Sequence, residues 1–193
     1  MARKNEHNKT KIRDREFKHS NFDAPLPHLD EGELYEKITQ EKNPLVLILD
    51  CIEDPHNLGA CLRTSDAVGA IAVVTPKNRS ASVTPTVRRV AAGGAEAVPV
   101  VQVSNLAQSM KKMQQAGLFL MGTSDQATKE VYDVNLTGGI GIVMGSEGFG
   151  LRRLTMETCD ELIKIPMNGT VPCLNISVAT GICLYEVVRQ NRK

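Results

Sequence analysis

Three short stretches of this chain gather the residue types that handle anions, protons and small polar ligands. The first, Asp54-Pro55-His56-Asn57-Leu58-Gly59, follows an apolar run and opens a helix that carries Arg63. Free backbone N–H groups at a helix start suit anions and an arginine adds a fixed cation, so Asn57 and Arg63 are candidate ligand contacts. The same residues also describe a plain helix cap followed by a solvated arginine. The second, Met144-Gly145-Ser146-Glu147-Gly148-Phe149-Gly150, sets Glu147 among three glycines. Such a run either turns tightly or lets backbone touch a ligand, but it lacks the GxGxxG spacing of a dinucleotide site. The third, Ile165-Pro166-Met167-Asn168-Gly169-Thr170-Val171-Pro172-Cys173-Leu174-Asn175-Ile176-Ser177, holds two prolines, a glycine and two asparagines between an apolar strand and an apolar helix. A loop of that kind running inward needs partners for its backbone groups, and an adenosine derivative would supply them. Cys173 is a candidate nucleophile on this loop, although no histidine adjoins it in sequence.

These stretches must be positioned by the elements around them. From Pro44 onward, apolar runs of strand length alternate with helical segments, which predicts an α/β fold with a largely parallel sheet and helices on both faces. Strands are expected at Leu45 to Cys51, Ile71 to Thr75, Ala97 to Val101, Leu118 to Gly122, Ile140 to Met144 and Glu161 to Ile165. Each run is too continuously apolar to be half exposed. Helices are expected at Asn57 to Val68, Thr84 to Ala92, Asn105 to Ala116, Gly150 to Thr158 and Asn175 to Gln190. On the last helix, Ile176, Ala179, Thr180, Cys183, Leu184 and Val187 form a stripe wide enough for both a core and a second copy of the chain.

Composition narrows the class. At 193 residues with 41% hydrophobic and 23% charged side chains, the chain fits one globular domain and excludes wholesale disorder. No apolar run reaches the ~18 residues of a membrane span, and the N-terminus is charged where a secretory leader would be apolar, so a cytoplasmic protein is expected. Five scattered cysteines without CxxC spacing and four histidines form no metal pattern and suggest reduced thiols. Net charge is only +1, yet residues 1–19 hold seven Lys or Arg against three acids, and residues 20–43 hold six acids against two Lys. The reading is a charged, partly disordered extension over residues 1–43 ahead of one domain over residues 44–193. A short helix around Leu34, Tyr35 and Ile38 sits within that extension, after an extended linker from Asp23 to His28.

In order and spacing, Asp54 to Arg63, Val143 to Gly148 and Leu174 to Glu186 resemble the three motifs of the SpoU, or TrmH-like, branch of the SPOUT methyltransferases. Val73 to Ala81 and Cys159 to Ile163 extend the likeness. The resemblance implies a C-terminal trefoil knot, a homodimer completing the active site, and S-adenosylmethionine as methyl donor without metal. The reaction it implies is methylation of an RNA ribose 2′-hydroxyl, on a guanosine of large-subunit ribosomal RNA or, alternatively, on transfer RNA. An RNA-binding or ribosome-assembly protein without catalysis on the same fold is the reading from a different class. Carried over by position, Asn57, Arg63, Glu147 and Asn175 become the catalytic set. Gly145, Ile165 and Leu174 become cofactor contacts, with Thr123 and Met167 nearby. RNA also needs cationic anchors, for which Lys77, Arg79, Arg88, Arg89, Arg152 and Arg153 are the candidates. Two departures stand out: Cys173 occupies a position usually held by serine, and no RNA-binding domain precedes Pro44 within these residues.

Overall fold

The computed structural model describes residues 24–146 and 148–192. After an irregular stretch, helix α1 (Glu31–Gln40) leads into β1 (Leu45–Leu49), α2 (Pro55–Val68), β2 (Ala72–Pro76), α3 (Pro85–Ala91) and α4 (Gly94–Ala97). Then come β3 (Val100–Val103), α5 (Leu106–Gln115), β4 (Phe119–Thr123), β5 (Lys129–Glu130), β6 (Ile140–Met144), α6 (Arg153–Thr158), β7 (Glu161–Lys164) and α7 (Ile176–Asn191). All seven strands pair in parallel in the order β3-β2-β1-β6-β4-β7-β5. One half of the sheet is therefore built outward in chain order from β1 to β3, whereas in the other half β4 and β5 come first, β6 then inserts between β1 and β4, and β7 between β4 and β5.

Alternation along the strands separates two cores. Leu45, Leu47 and Leu49 of β1 face a cluster shared with α2, α3, α4 and α7, whereas Val46 and Ile48 face one shared with α1 and α5. A parallel strand covered by helices on both faces has no solvent side, which is why these runs read as uniformly apolar. Helix α1 belongs to the second cluster through buried Leu34 and Ile38. Its start is fixed by a capping box in which Asp30 and Glu33 exchange side-chain to backbone hydrogen bonds of 2.8 Å. The charged tail of residues 1–19 lies outside the described residues.

Three elements depart from expectation. The third strand begins at Val100 rather than Ala97, because residues 94–97 coil into α4. Gly94 permits this: a Cβ there would stand 2.7 Å from the Leu62 carbonyl oxygen, so α4 seats directly on the α2 backbone. Helix α6 begins at Arg153 rather than Gly150, because the glycines before it are held in a turn. Strand β5 carries no apolar residue and pairs at the sheet edge with β7, beside a Lys129–Glu161 ion pair.

The stripe on α7 is also redistributed. Ile176, Thr180, Cys183, Leu184 and Val187 are buried within this single chain, leaving none of them for a partner. Val178 and Tyr185, each about half exposed, and partly buried Ile182 form a different stripe on the outer side. The end of α7 is tied to residues 134–138. Gln190 donates to the Val134 carbonyl and accepts from the Leu136 N–H, while Asn191 does the same for the Leu136 carbonyl and the Gly138 N–H.

Candidate active site

The site lies along the carboxyl edge of the sheet, where open parallel sheets place their ligands. β1 ends at buried Asp50, and Cys51 follows with φ of 65°, a left-handed turn unusual for a side chain bearing a Cβ. That turn redirects the chain to Asp54, whose carboxylate accepts the His56 N–H at 2.9 Å and caps α2, with Pro55 in its first turn. Asn57 is 8% exposed, in the first turn of α2. Its side-chain oxygen accepts a 3.1 Å hydrogen bond from the Asn175 amide, so the first and third stretches meet although 118 residues separate them. Asn175 caps α7, and its oxygen accepts from the Ser177 N–H and hydroxyl at 2.9 and 2.6 Å. These bonds fix which way the Asn175 amide faces.

Arg63 is not brought to that pair. Six residues further along α2, it lies roughly 120° around the axis from Asn57 and about 9 Å along it. It is exposed, with no ion pair to any described residue. A cation unpaired among the described residues is available to an RNA phosphate or a developing oxyanion. Glu147 lies outside the described residues.

The residues expected at the cofactor converge by strand adjacency. Gly145 follows β6, Thr123 ends β4 and Ile165 follows β7, three strands that are neighbours in the sheet. The Thr123 hydroxyl donates to the Val143 carbonyl at 3.2 Å, tying the ends of β4 and β6 together. At Gly145, a Cβ would stand 2.1 Å from the Gly150 carbonyl carbon, so the glycine is required by the protein's own returning backbone. Ser146 and Gly150 close that turn with reciprocal backbone hydrogen bonds of 3.1 and 2.9 Å. Past Ile165, no backbone group of residues 166–174 hydrogen-bonds to the backbone of another described residue. Met167 and Val171 are exposed there, and Leu174 is half-buried. Unused N–H and carbonyl groups beside apolar side chains fit an adenosyl group, which needs both edge hydrogen bonds and an apolar bed. Cys173 is exposed on this loop, and no base among the described residues is hydrogen-bonded to it.

The expected RNA anchors divide. Lys77, Arg79 and Arg89 are exposed and carry no ion pair among the described residues. Arg88 is engaged internally, donating to Glu96 and to the Ala24 carbonyl at 2.8 Å each. Arg153 forms an exposed pair with Glu157. Arg152 is held by Asp50, which sequence reasoning missed: its Nε donates at 2.7 Å, a terminal nitrogen lies at 2.6 Å, and its backbone N–H donates at 3.1 Å. The carboxylate keeps this guanidinium more firmly protonated than usual, and burial beside Asp50 pushes the Cys51 thiol up. The one available signal was an acid directly at the end of a buried strand, since buried carboxylates need a partner.

Residues 44–185 match the family model described as the SpoU rRNA Methylase family, so the chain belongs to that family of RNA-modifying methyltransferases. Among curated proteins it is 55% identical over 166 residues to the 23S rRNA (guanosine-2′-O-)-methyltransferase RlmB of Vibrio vulnificus (strain CMCP6), covering 86% of this chain and 67% of that one. With RlmB of Pseudomonas putida (strain KT2440) identity is 57% over 152 residues, 79% of this chain and 61% of the relative. Among solved structures, the SpoU methyltransferase AviRb from Streptomyces viridochromogenes in complex with the cofactor AdoMet superposes with a TM-score of 0.73 at 28% identity, covering 79% and 60% of the two chains. The A. aeolicus TrmH/SpoU tRNA modifying enzyme gives 0.68 at 28%, covering 83% of each. The chain thus spans about two thirds of the curated relatives and less of several solved ones.

Proposed function

We propose that this chain is an S-adenosylmethionine-dependent RNA ribose 2′-O-methyltransferase acting on a guanosine of 23S ribosomal RNA. The observation that carries the reading is 55% identity over 86% of the chain to a relative with that activity. S-adenosylmethionine supplies a sulfonium methyl group open to in-line attack. The chain's own residues bind, orient and manage the proton. In this reading Thr123, Gly145, Ile165, Met167 and Leu174 surround the adenosyl group at the ends of β4, β6 and β7. Asn57 and Asn175, locked to one another, fix the geometry where α2 and α7 begin, and Glu147 joins the catalytic set through the motif likeness alone. Arg63 stabilises the ribose oxygen as its proton passes to solvent and holds the adjoining phosphate; arginine stays protonated, which suits this electrostatic role better than that of a base.

A homodimer belongs to the same reading. Arg63 stands apart from the Asn57–Asn175 pair within one chain, and the outer stripe of Val178, Ile182 and Tyr185 on α7 offers an apolar face to a second copy. Residues 44–193 form the methyltransferase domain, with the return of α7 against α2 as its knotted tail, and α1 of the preceding extension docks on it. The place of action is the cytoplasm, in keeping with five free thiols; no described helix is long and apolar enough to cross a membrane. The test is to map 2′-O-methyl groups in ribosomal and transfer RNA from cells with and without the gene, and to methylate a 23S transcript with purified protein. Loss of one guanosine mark in 23S RNA, restored in vitro, is the expected result. Loss of a transfer RNA mark instead, or of none, overturns the assignment.

A further inference from the structure

We infer that the chain has a second nucleotide subsite, separate from the methyl-transfer centre, which holds an unpaired nucleotide of the same RNA strand beside the methylated one. The inference rests on the RNA methyltransferase reading. A cavity of about 380 Å³ opens at the carboxyl ends of β2 and β3, lined by Asn78, Arg79, Ser104, Asn105, Arg152 and Leu154 among others. None of the lining residues is acidic. Arg79 has no ion pair among the described residues. Arg152 satisfies Asp50 through Nε and one terminal nitrogen, which leaves the other terminal nitrogen for a further acceptor. Asn105 uses its side-chain oxygen to accept the Gln108 N–H, so what it offers the cavity is the amide donor. A concave site with guanidinium, amide and hydroxyl donors and no carboxylate is complementary to an anion.

One wall is not polar. Leu154 is 56% exposed at this cavity, and an exposed apolar side chain beside cations suits a ligand that is anionic at one end and flat and apolar at the other. A nucleotide, with its phosphate on Arg79 and Arg152 and its base against Leu154, has that form. Position ties the occupant to the substrate strand. β2 lies two strands from β6, roughly 10 Å at ordinary strand spacing, and Arg152 directly follows the turn built on Gly145. Sequence-selective RNA enzymes read splayed, unpaired nucleotides, and a subsite one step from the reacting ribose would help select the target.

Arg79→Ala, Arg79→Lys and Leu154→Ala in the full chain test this with a 23S transcript, by measuring RNA affinity against KCl concentration without cofactor, and KM and kcat with it. Arg79→Ala is expected to weaken RNA binding and raise KM about tenfold, and to lower the slope of log affinity against log salt by about one. Its kcat stays within about twofold, and affinity for S-adenosylmethionine is unchanged. Arg79→Lys keeps the salt slope, and Leu154→Ala weakens binding about threefold without altering it. Unchanged affinity and slope in Arg79→Ala, or a fall in kcat at constant KM, overturns the subsite. So does competition by a free mononucleotide at millimolar concentration that Arg79→Ala abolishes, which would mark a pocket for small nucleotides. If the parent protein methylates no RNA while Arg79→Ala still lowers the slope, the methyltransferase reading fails, and with it the placement beside a methylated nucleotide, while the RNA-phosphate contact at Arg79 stands.

Discussion

Two arginines of this chain, Arg63 and Arg152, differ in what surrounds them. Arg63 projects from α2 into solvent, unpaired among the described residues; Arg152 reaches back to a carboxylate that is 0% exposed at the end of β1. A charge facing water costs little to leave free and can be lent to a ligand, whereas a buried carboxylate must be matched from within the chain. How far an arginine is committed to the fold thus follows from the burial of its partner and not from the residue type or its place in a motif.

Replacing each arginine breaks the comparison differently. Arg63→Ala is expected to lower methyl transfer by about 10²–10³-fold while stability stays within about 0.5 kcal/mol and cofactor affinity within a few-fold, checked by single-turnover methylation, urea unfolding and calorimetry. Arg152→Ala should destabilise the chain by about 3 kcal/mol, at the low end for a buried pair because the arginine itself is half exposed. It lowers the urea midpoint without altering the slope, and Asp50→Asn in the same chain recovers part of the loss. A smaller effect sharpens the rule on α7, where Arg189 hydrogen-bonds buried Glu186 and holds its carboxyl below the usual 4.5. That stabilisation is present above the ordinary carboxylate pKa and is lost as pH falls through the lowered one. Glu186→Gln should therefore flatten the acid limb of stability against pH while leaving neutral activity intact. Smallest of all, Cys173→Ser is expected to change activity by less than about twofold, since the thiol is exposed and no base among the described residues is hydrogen-bonded to it. Loss of activity in that variant, matched by thiol alkylation of the parent, would give this cysteine chemistry of its own.

How much could be read beforehand follows from the range of each interaction. Strands such as Leu45–Leu49 and Ile140–Met144 were legible because burial on both faces leaves an unbroken apolar run. Residues 94–97 were not: Ala95 and Val98 have the same composition in a strand, and the helix is imposed by contact with α2, which local sequence does not encode. Strand β5 pairs two charged residues and emits no pattern at all. In the site, Asn57 and Asn175 were legible through the motif likeness, but their mutual hydrogen bond was not, and the cap of α2 falls on Asp54 rather than Asn57. Arg152 and Arg88 were read as free cations because the partners that claim them, Asp50 and Glu96 with the Ala24 carbonyl, depend on tertiary placement. The Gly145 contact carries the same lesson, since a glycine needed by the chain's own backbone has the same letter as one needed by a ligand.

The ties from Gln190 and Asn191 to residues 134–138, with the Asn175–Asn57 bond at the other end of α7, have a consequence for the order in which the molecule comes into being. Synthesis runs from the N-terminus at about 5–20 residues per second, so the core against α1 and α5 and the sheet itself can assemble while α7 is still being made. The Asn57–Asn175 bond and the burial of Ile176 and Thr180 become possible only when the start of α7 is made, and the ties from Gln190 and Asn191 only when its final turn emerges. A chain stopped before Asn175 would keep its strands but lack both the partner of Asn57 and the α7 side of one core, so a premature stop there should yield an inactive, destabilised protein.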